Sequence, residues 1–372
     1  MNRREASAIL LTAPLLLPSL LKGAESAEKT VDRLEALRAK AKLPALAVVV
    51  SKGGTVCDQA AVGVRKEGDP APVTIGDRFH IGSCTKSMTA TLAALLIEEG
   101  KIRWDTTIVQ ALPDLKGRIH PDFESATLEM LLQNRGGLPT EAPPAAWKRA
   151  WEKIGTPTAQ RREFIAAVLA KEPVAKPGTK FTYSNQGFAV AGAMLEKATD
   201  TPWERLIAER LFQPLGMKTA GFGVPGTIGR VDQPWGHVVK DGKNQPMQSD
   251  NPPAIGPAGI VHCSLEDLAL YTRMHLRRGV GEKALLKPES FHHLHTPPEK
   301  QDYACGWSSL TRGWAGGKAL THNGSNTMWF VVMWLAPERD FSVVVGTNVA
   351  GAEATKACDD VASSMIGKWL RR

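Results

Sequence analysis

Three groups of residues in this 372-residue chain have the types and spacing that covalent chemistry needs. The first is Ser83-Cys84-Thr85-Lys86, ahead of an apolar run from Ala90 to Ile97 that Gly100 closes. If a helix starts near Ser83, hydroxyl and amine lie one turn apart on the same face. Ser83 would also stand at the positive end of that helix, where backbone N–H groups lack intrahelical partners. An amine beside a hydroxyl, near free N–H groups, is the layout of an activated serine nucleophile. Taken alone, Ser-x-x-Lys is equally an N-capping serine with a solvated lysine.

The second group is Tyr183-Ser184-Asn185, bounded by Gly178 and Gly187. A tyrosine near a lysine ammonium can be held as phenolate or share its proton, and so pass a proton from a serine to a leaving group. An asparagine two residues on can hold the lysine or a substrate amide. The third group is His322-Asn323-Gly324-Ser325, read as lying just before a strand from Met328 to Trp334. Gly324 lets a substrate approach that backbone closely, and the Ser325 N–H can join that of Ser83 as an oxyanion hole.

Periodicity supplies the elements that must position these groups. Val31, Leu34, Leu37 and Ala41 predict a helix from Ala27 to Lys42, stopped by Pro44. Ala45 to Val50 is a continuous apolar run suited to a buried strand, and Lys52-Gly53-Gly54 turns it back into Val56 to Val64. Ile102 to Pro113 reads as a loop. Helices are predicted at Thr127 to Gln133, Trp147 to Lys153, Thr158 to Lys171, Phe188 to Thr199, Pro202 to Leu211 and within Gly259 to Arg278. Gly221 to Pro257, rich in Gly and Pro, predicts substrate-facing loops with short strands. Cys305 to Trp307, Phe330 to Trp334 and Phe341 to Thr347 predict strands, followed by a last helix from Ala352 to Leu370. The expected class is α/β of the α+β kind: one sheet from about residues 30–80 and 300–372, flanked by helices, with a mostly helical lobe at about 87–295 inserted.

Composition excludes several function classes. Hydrophobic content of 43% and charged content of 23% are those of an ordinary soluble globular protein. The formal charge of +8 is spread along the chain; its densest cluster, Arg273, Arg277 and Arg278, has no interleaved aromatic stripe, which argues against nucleic acid as a partner. Residues 1–26 read as an export signal, leaving 27–372 as the mature domain in the periplasm or outside the cell. Arg3 and Arg4 precede an apolar run from Ala8 to Leu21, and Gly23, Ala24, Ser26 and Ala27 offer small residues for cleavage. The arginine pair fits the twin-arginine route. Pro14 and Pro18 break the run, which is too short for a membrane span. Five cysteines without CxxC spacing argue against a disulfide framework or a zinc cluster, while leaving room for one bridge. Cys84 points about 100° round the helix from Ser83 and reads as packing. His292, His293 and His295 read as solvated rather than metal-binding, His262 as packing and His237 as a candidate for the pocket wall. The oligomeric state is not encoded in any pattern found.

Taken together and in order, Ser-x-x-Lys, Tyr-x-Asn and His-x-Gly resemble the motifs of the serine β-lactamase and penicillin-binding-protein superfamily. The branch is that of class C β-lactamases, D-alanyl-D-alanine carboxypeptidases, D-aminopeptidases and related esterases. Secondary marks agree: Leu96-Ile97-Glu98-Glu99-Gly100-Lys101, the Gly136-Gly137-Leu138-Pro139 loop, and Pro214-Leu215-Gly216-Met217. The resemblance spans roughly residues 30 to 370. It implies a β-lactamase/transpeptidase-like fold and a secreted serine hydrolase acting through an acyl-enzyme on a small-molecule or peptide substrate, without metal or organic cofactor. By this resemblance Ser83 attacks, Lys86 and Tyr183 manage its proton, Ser83 and Ser325 N–H groups bind the oxyanion, and Asn185, His322 and Gly324 meet the substrate. His322 stands where β-lactamases of this branch carry lysine, and Glu141 falls where class C enzymes place a substrate-binding glutamine. The substrate stays open among β-lactam, D-amino-acid peptide and ester; a penicillin receptor without turnover, or a carboxylesterase without β-lactam activity, are the alternatives.

Overall fold

The computed structural model describes residues 17–277 and 284–370. Residues 1–16 of the expected export signal and Arg278 of the basic cluster lie outside the described residues. The chain opens with α1 (Leu17–Lys40), β1 (Ala45–Lys52), β2 (Thr55–Gly63), β3 (Arg78–His80) and α2 (Thr85–Glu98). A helical lobe follows with α3 (Ile108–Ala111), α4 (Leu128–Leu132), α5 (Pro144–Trp151), α6 (Pro157–Leu169), α7 (Asn185–Thr199), α8 (Trp203–Ile207) and α9 (Gln213–Leu215). Short strands β4 (Gly221–Phe222), β5 (Gly236–Lys240) and β6 (Lys243–Met247) lead to α10 (Gly256–Gly259), β7 (Val261–Ser264), α11 (Leu265–Arg277) and α12 (Pro288–His295). The chain ends in β8 (Ser308–Arg312), β9 (Gly317–Gly324), β10 (Phe330–Ala336), β11 (Phe341–Thr347) and α13 (Ala352–Leu370).

Six strands make one antiparallel sheet in the order β2-β1-β11-β10-β9-β8. Its centre pairs the two ends of the sequence, Val48 of β1 facing Val345 of β11. Successive side chains on a strand point to opposite faces, and here both faces are covered. Ala45, Ala47 and Val49 join the core shared with α2, α7 and α11, while Leu46, Val48 and Val50 join a second core under α1 and α13. That double burial is why β1 reads as an unbroken apolar run.

Three expectations are corrected. The His322 motif precedes the expected strand, β10, but His322 to Gly324 do not lie in a loop: they end an unexpected strand, β9, which pairs with β10 through Met333 opposite His322 and with β8 on its other side. Lys318, Thr321 and Asn323 interrupt the apolar alternation there and hide the strand. Cys305 to Trp307 is a turn, not a strand; Gly306 has φ +73°, and a Cβ on it would meet the Lys86 carbonyl and the Ser87 backbone of α2. The loop expected from Ile102 to Pro113 contains α3, started by a Thr107–Gln110 capping box.

Both terminal helices are fastened to β2 by one buried carboxylate. Asp58 accepts hydrogen bonds from Thr30 Oγ1 at 2.9 Å, Lys368 Nζ at 2.7 Å and Trp369 Nε1 at 3.2 Å. Asp58→Ala strips these donors of their shared acceptor and should cost about 3 kcal/mol. The expected result is a lower urea midpoint with kcat unchanged, because Asp58 lies on the sheet face away from α2.

Candidate active site

The local chain path explains how Ser83 is presented. β3 ends at His80, and one 3₁₀ turn, Gly82–Cys84, hands Ser83 to the start of α2. Gly82 holds φ +49°, in the region that favours glycine. A Cβ on Gly82 would overlap the Ser325 nitrogen, and one on Gly324 would overlap the Ile81 carbonyl oxygen and the Ser83 nitrogen. Two missing side chains therefore let the end of β9 rest directly on the nucleophile turn. Among the described residues, neither the Ser83 N–H nor the Ser325 N–H donates a backbone hydrogen bond. A pair of adjacent, uncommitted N–H groups beside a serine is what an oxyanion hole requires.

Lys86 is the buried centre of the site. Its Nζ lies 3.0 Å from Ser83 Oγ, 2.7 Å from Asn185 Oδ1 and 2.9 Å from the Ala258 carbonyl oxygen. Burial disfavours the charged amine and brings its pKa down to about 7. Asn185 is in place because it opens α7, whose N-cap Ser184 accepts from the Gly187 N–H at 3.3 Å. The same hydroxyl donates to the Pro139 carbonyl at 2.6 Å, and the Ser184 N–H donates to Asn134 Oδ1 at 3.0 Å. These bonds tie the Tyr183 segment to the Gly136-Gly137-Leu138-Pro139 loop. Tyr183 lays its ring 4.8 Å from Lys86 Nζ, and the nearby Ser83 hydroxyl acts to lower the phenol's pKa.

Tyr183 is not held as a phenolate. Burial raises its pKa to about 12, and the Ser83 hydroxyl offsets only part of that. Desolvation penalises both charged forms, so the resting pair is a neutral phenol and an amine that loses its proton near neutrality.

His322 is buried at 6% exposure. Its Nδ1 lies 2.6 Å from the Asn323 carbonyl oxygen, and its Nε2 lies 3.1 Å from the Tyr303 hydroxyl. A carbonyl can only accept, which assigns the proton to Nδ1 and leaves Nε2 to accept from Tyr303. Burial, with the Lys86 charge adding to it, pushes the His322 pKa down to about 3. The ring is neutral and both nitrogens are occupied. Tyr303 escapes sequence reasoning, as does Ala258; the available signal was a rare residue type, one of three tyrosines, just ahead of the Gly306 turn. Tyr303 also packs against Phe181 and Tyr183, with centroids at 5.4 and 6.4 Å.

The remaining candidates fall elsewhere. Glu141 is exposed on the loop before α5, with no hydrogen bond or ion pair to the residues above among those described. Cys84 is fully buried, its Sγ 3.6 Å from the His322 carbonyl oxygen, and burial pushes its thiol up. All five cysteines are free. His237 is a buried clamp, bound to the Asn348 carbonyl at 2.7 Å and the Glu67 N–H at 3.0 Å. His262 packs against the Gly223 carbonyl at 2.9 Å. His295 is not solvated: it shares the inward face of α12 with Phe291, four residues before it, and meets His275 at 2.8 Å.

Comparison with known proteins places the chain in a family. The family model described as Beta-lactamase matches residues 31–363. Penicillin-binding protein 4 of Amycolatopsis lactamdurans is 25% identical over 91% of this chain and 88% of its own length. An unguisins hydrolase of Aspergillus campestris is 25% identical over 74% of this chain, which spans only 53% of that relative. The structure of a class C beta-lactamase superposes with a TM-score of 0.76 at 20% identity, covering 91% of this chain and 96% of that one. At that identity the likeness speaks to the fold.

Because the contacts at Gly324 are with backbone, they cannot relax by rotating a side chain. Gly324→Ala should lower kcat/KM by about 10²–10³-fold, the scale of losing an oxyanion-hole donor. Ester turnover measured beside far-UV circular dichroism checks this, with the fold expected to persist.

Proposed function

Since the chain belongs to the beta-lactamase family of serine hydrolases, we propose that it cleaves an acyl ester or amide through a covalent Ser83 acyl-enzyme. The observation that carries this reading is the buried Lys86 amine, 3.0 Å from Ser83 Oγ with its proton affinity lowered to about 7. Near neutral pH that amine takes the Ser83 proton as Oγ attacks the carbonyl carbon. The Ser83 and Ser325 N–H groups hold the oxyanion. Tyr183, protonated and beside Ser83, gives its hydroxyl proton to the leaving group and recovers one from the Lys86 ammonium. Water then attacks the acyl carbonyl along the reverse route, with Lys86 again as base. Asn185 holds the amine, and Gly324 leaves room for substrate along β9.

The state of His322 supports a substrate without a carboxylate at that position. A lysine there would offer a charged donor. This imidazole is neutral, with its N–H on the Asn323 carbonyl and its acceptor nitrogen on Tyr303. Neutral esters and peptide amides fit this better than carboxylate-bearing β-lactams. The likeness to a penicillin-binding protein favours one rival, a receptor that is acylated but not turned over.

Export to the periplasm or the medium is supported by Arg3, Arg4 and the apolar Ala8 to Leu21 run. No helix among the described residues is long and apolar enough to cross a membrane. Mass spectrometry of the secreted protein should find an N-terminus near Ala27; retention of Arg3 and Arg4 in the mature form would refute export by cleavage.

One assay tests the mechanism: p-nitrophenyl esters with and without a carboxylate, nitrocefin and a fluorescent penicillin, with turnover and retained label both followed. The neutral ester should be favoured by about tenfold or more, and Ser83→Ala should abolish all turnover and labelling. Lys86 must be unprotonated to act as base, so kcat/KM should rise as pH increases through about 7. It should stay high over the alkaline range, because Tyr183 keeps its proton up to about 12. A profile flat across neutrality sinks the Lys86 assignment, and stable label without product release supports the receptor.

A further inference from the structure

Behind the two N–H groups lies a buried polar network that the hydrolytic mechanism above does not use. Asp250 sits in the segment between β6 and α10, 4% exposed. Its Oδ1 is 2.8 Å from His80 Nε2, 3.3 Å from Asn326 Nδ2 and 2.6 Å from the Asn251 N–H. His80 has no exposed surface, and its Nδ1 accepts from the Gly82 N–H at 3.1 Å. That acceptance fixes the tautomer: the imidazole proton is on Nε2, which lies 2.8 Å from Asp250 Oδ1 in a close contact that is not aligned as a hydrogen bond. Asn326 in turn accepts from the Met328 N–H at 3.3 Å, bracing the turn from β9 to β10.

One carboxylate oxygen thus reaches both halves of the oxyanion hole. Through His80 it reaches the N–H of Gly82, the residue before Ser83, and through its own bond to Asn326 it holds the residue immediately after Ser325. At the hole itself the two segments approach through the Gly82 and Gly324 backbones, and the side-chain contact between them there is the long one from Cys84 Sγ to the His322 carbonyl at 3.6 Å. A hole needs both donors at 2.7–3.1 Å from the same oxygen, and an error of about 1 Å costs on the order of 10²-fold.

We propose that Asp250 is a positioning residue that sets the spacing of the Ser83 and Ser325 N–H groups by tying His80 to Asn326. The inference rests on the serine-hydrolase reading, since it assigns the hole a task in that reaction. Asp250 touches no substrate and transfers no proton. Its effect is confined to steps in which negative charge develops on the substrate oxygen, so it moves kcat and leaves ground-state binding alone.

The test uses the full chain with Asp250→Ala, Asp250→Asn and Asn326→Ala. It measures kcat and KM for a neutral p-nitrophenyl ester, the inhibition constant of phenylboronic acid, and Tm. The boronic acid adds to the Ser83 oxygen as a tetrahedral adduct whose own oxygen occupies the hole, so its affinity reports hole geometry directly. Asp250→Ala should lower kcat by about 10–100-fold with KM within about twofold, and weaken boronate inhibition by a matching factor. Asp250→Asn keeps an acceptor for His80 and should recover most of both. Asn326→Ala should reproduce the direction of the loss, and the Asp250→Ala/Asn326→Ala pair should lose less than the product of the two single losses. Unchanged boronate affinity in both Asp250→Ala and Asn326→Ala overturns the proposal, as does a lower Tm with kcat intact. A wild-type chain that forms no boronate adduct at Ser83 overturns the hydrolase reading instead.

Discussion

A lysine amine with no exposed surface is the constraint on which the rest of this site depends. An isolated buried ammonium is costly, and buried charges are ordinarily paired with carboxylates. Lys86 has no such partner among the described residues; its acceptors are a hydroxyl, a carboxamide and a backbone carbonyl. All three are neutral, so they satisfy its hydrogen bonds but supply no negative charge to offset the desolvation of the ammonium. A low proton affinity follows from burial alone. The same three acceptors come from the nucleophile turn, α7 and α10, so keeping this amine satisfied requires the helical lobe to converge on the start of α2.

The sheet reaches that point by the opposite means. Where the lobe approaches Lys86 through side chains, β9 and the Cys305 to Trp307 turn approach through glycines. Gly82 and Gly324 meet backbone to backbone, and Gly306 rests on the Lys86 carbonyl. Close backbone contact of this kind is rigid because there is no rotamer to adjust. The proton-transfer side of the site is therefore set mainly by hydrogen bonds of side chains, and the oxyanion side by main-chain packing with the Asp250 network behind it. A conservative side-chain change can tune the first, while a side chain added at Gly82 or Gly324 has no room.

What is legible in the sequence follows the same division. Ser83 and Lys86 can be read because one helical turn relates them, and Tyr183 and Asn185 because they stand two positions apart between Gly178 and Gly187, although the helix expected from Phe188 already begins at Asn185. The buried strands β1, β10 and β11 are legible because burial on both faces leaves them nearly all apolar. β9 is not, since Thr321 and Asn323 break its alternation while its partners lie in other strands. Tyr303, His80 and Asp250 are illegible for another reason. His80 and Asp250 meet across 170 positions, and Tyr303 meets His322 across a hairpin that has no apolar signature. His295 misleads for a related reason: a run of histidines reads as polar, yet helical spacing turns one of them onto the apolar face of Phe291.

Charge placement connects the two halves of the chemistry. The Lys86 charge helps to keep His322 neutral, and electrostatic coupling is reciprocal, so a cation at position 322 would depress Lys86 further. A site with a permanently charged residue there must reconcile holding an anionic substrate with poising its base. Here Tyr303 donates to His322 and removes that conflict, since the imidazole is satisfied without a proton on Nε2. With His322 neutral, the proton affinity of Lys86 in the free site is governed chiefly by its own burial. The Tyr303 bond also leaves position 322 without a cation for substrate carboxylates, so the identity of the third motif affects base strength and substrate charge together.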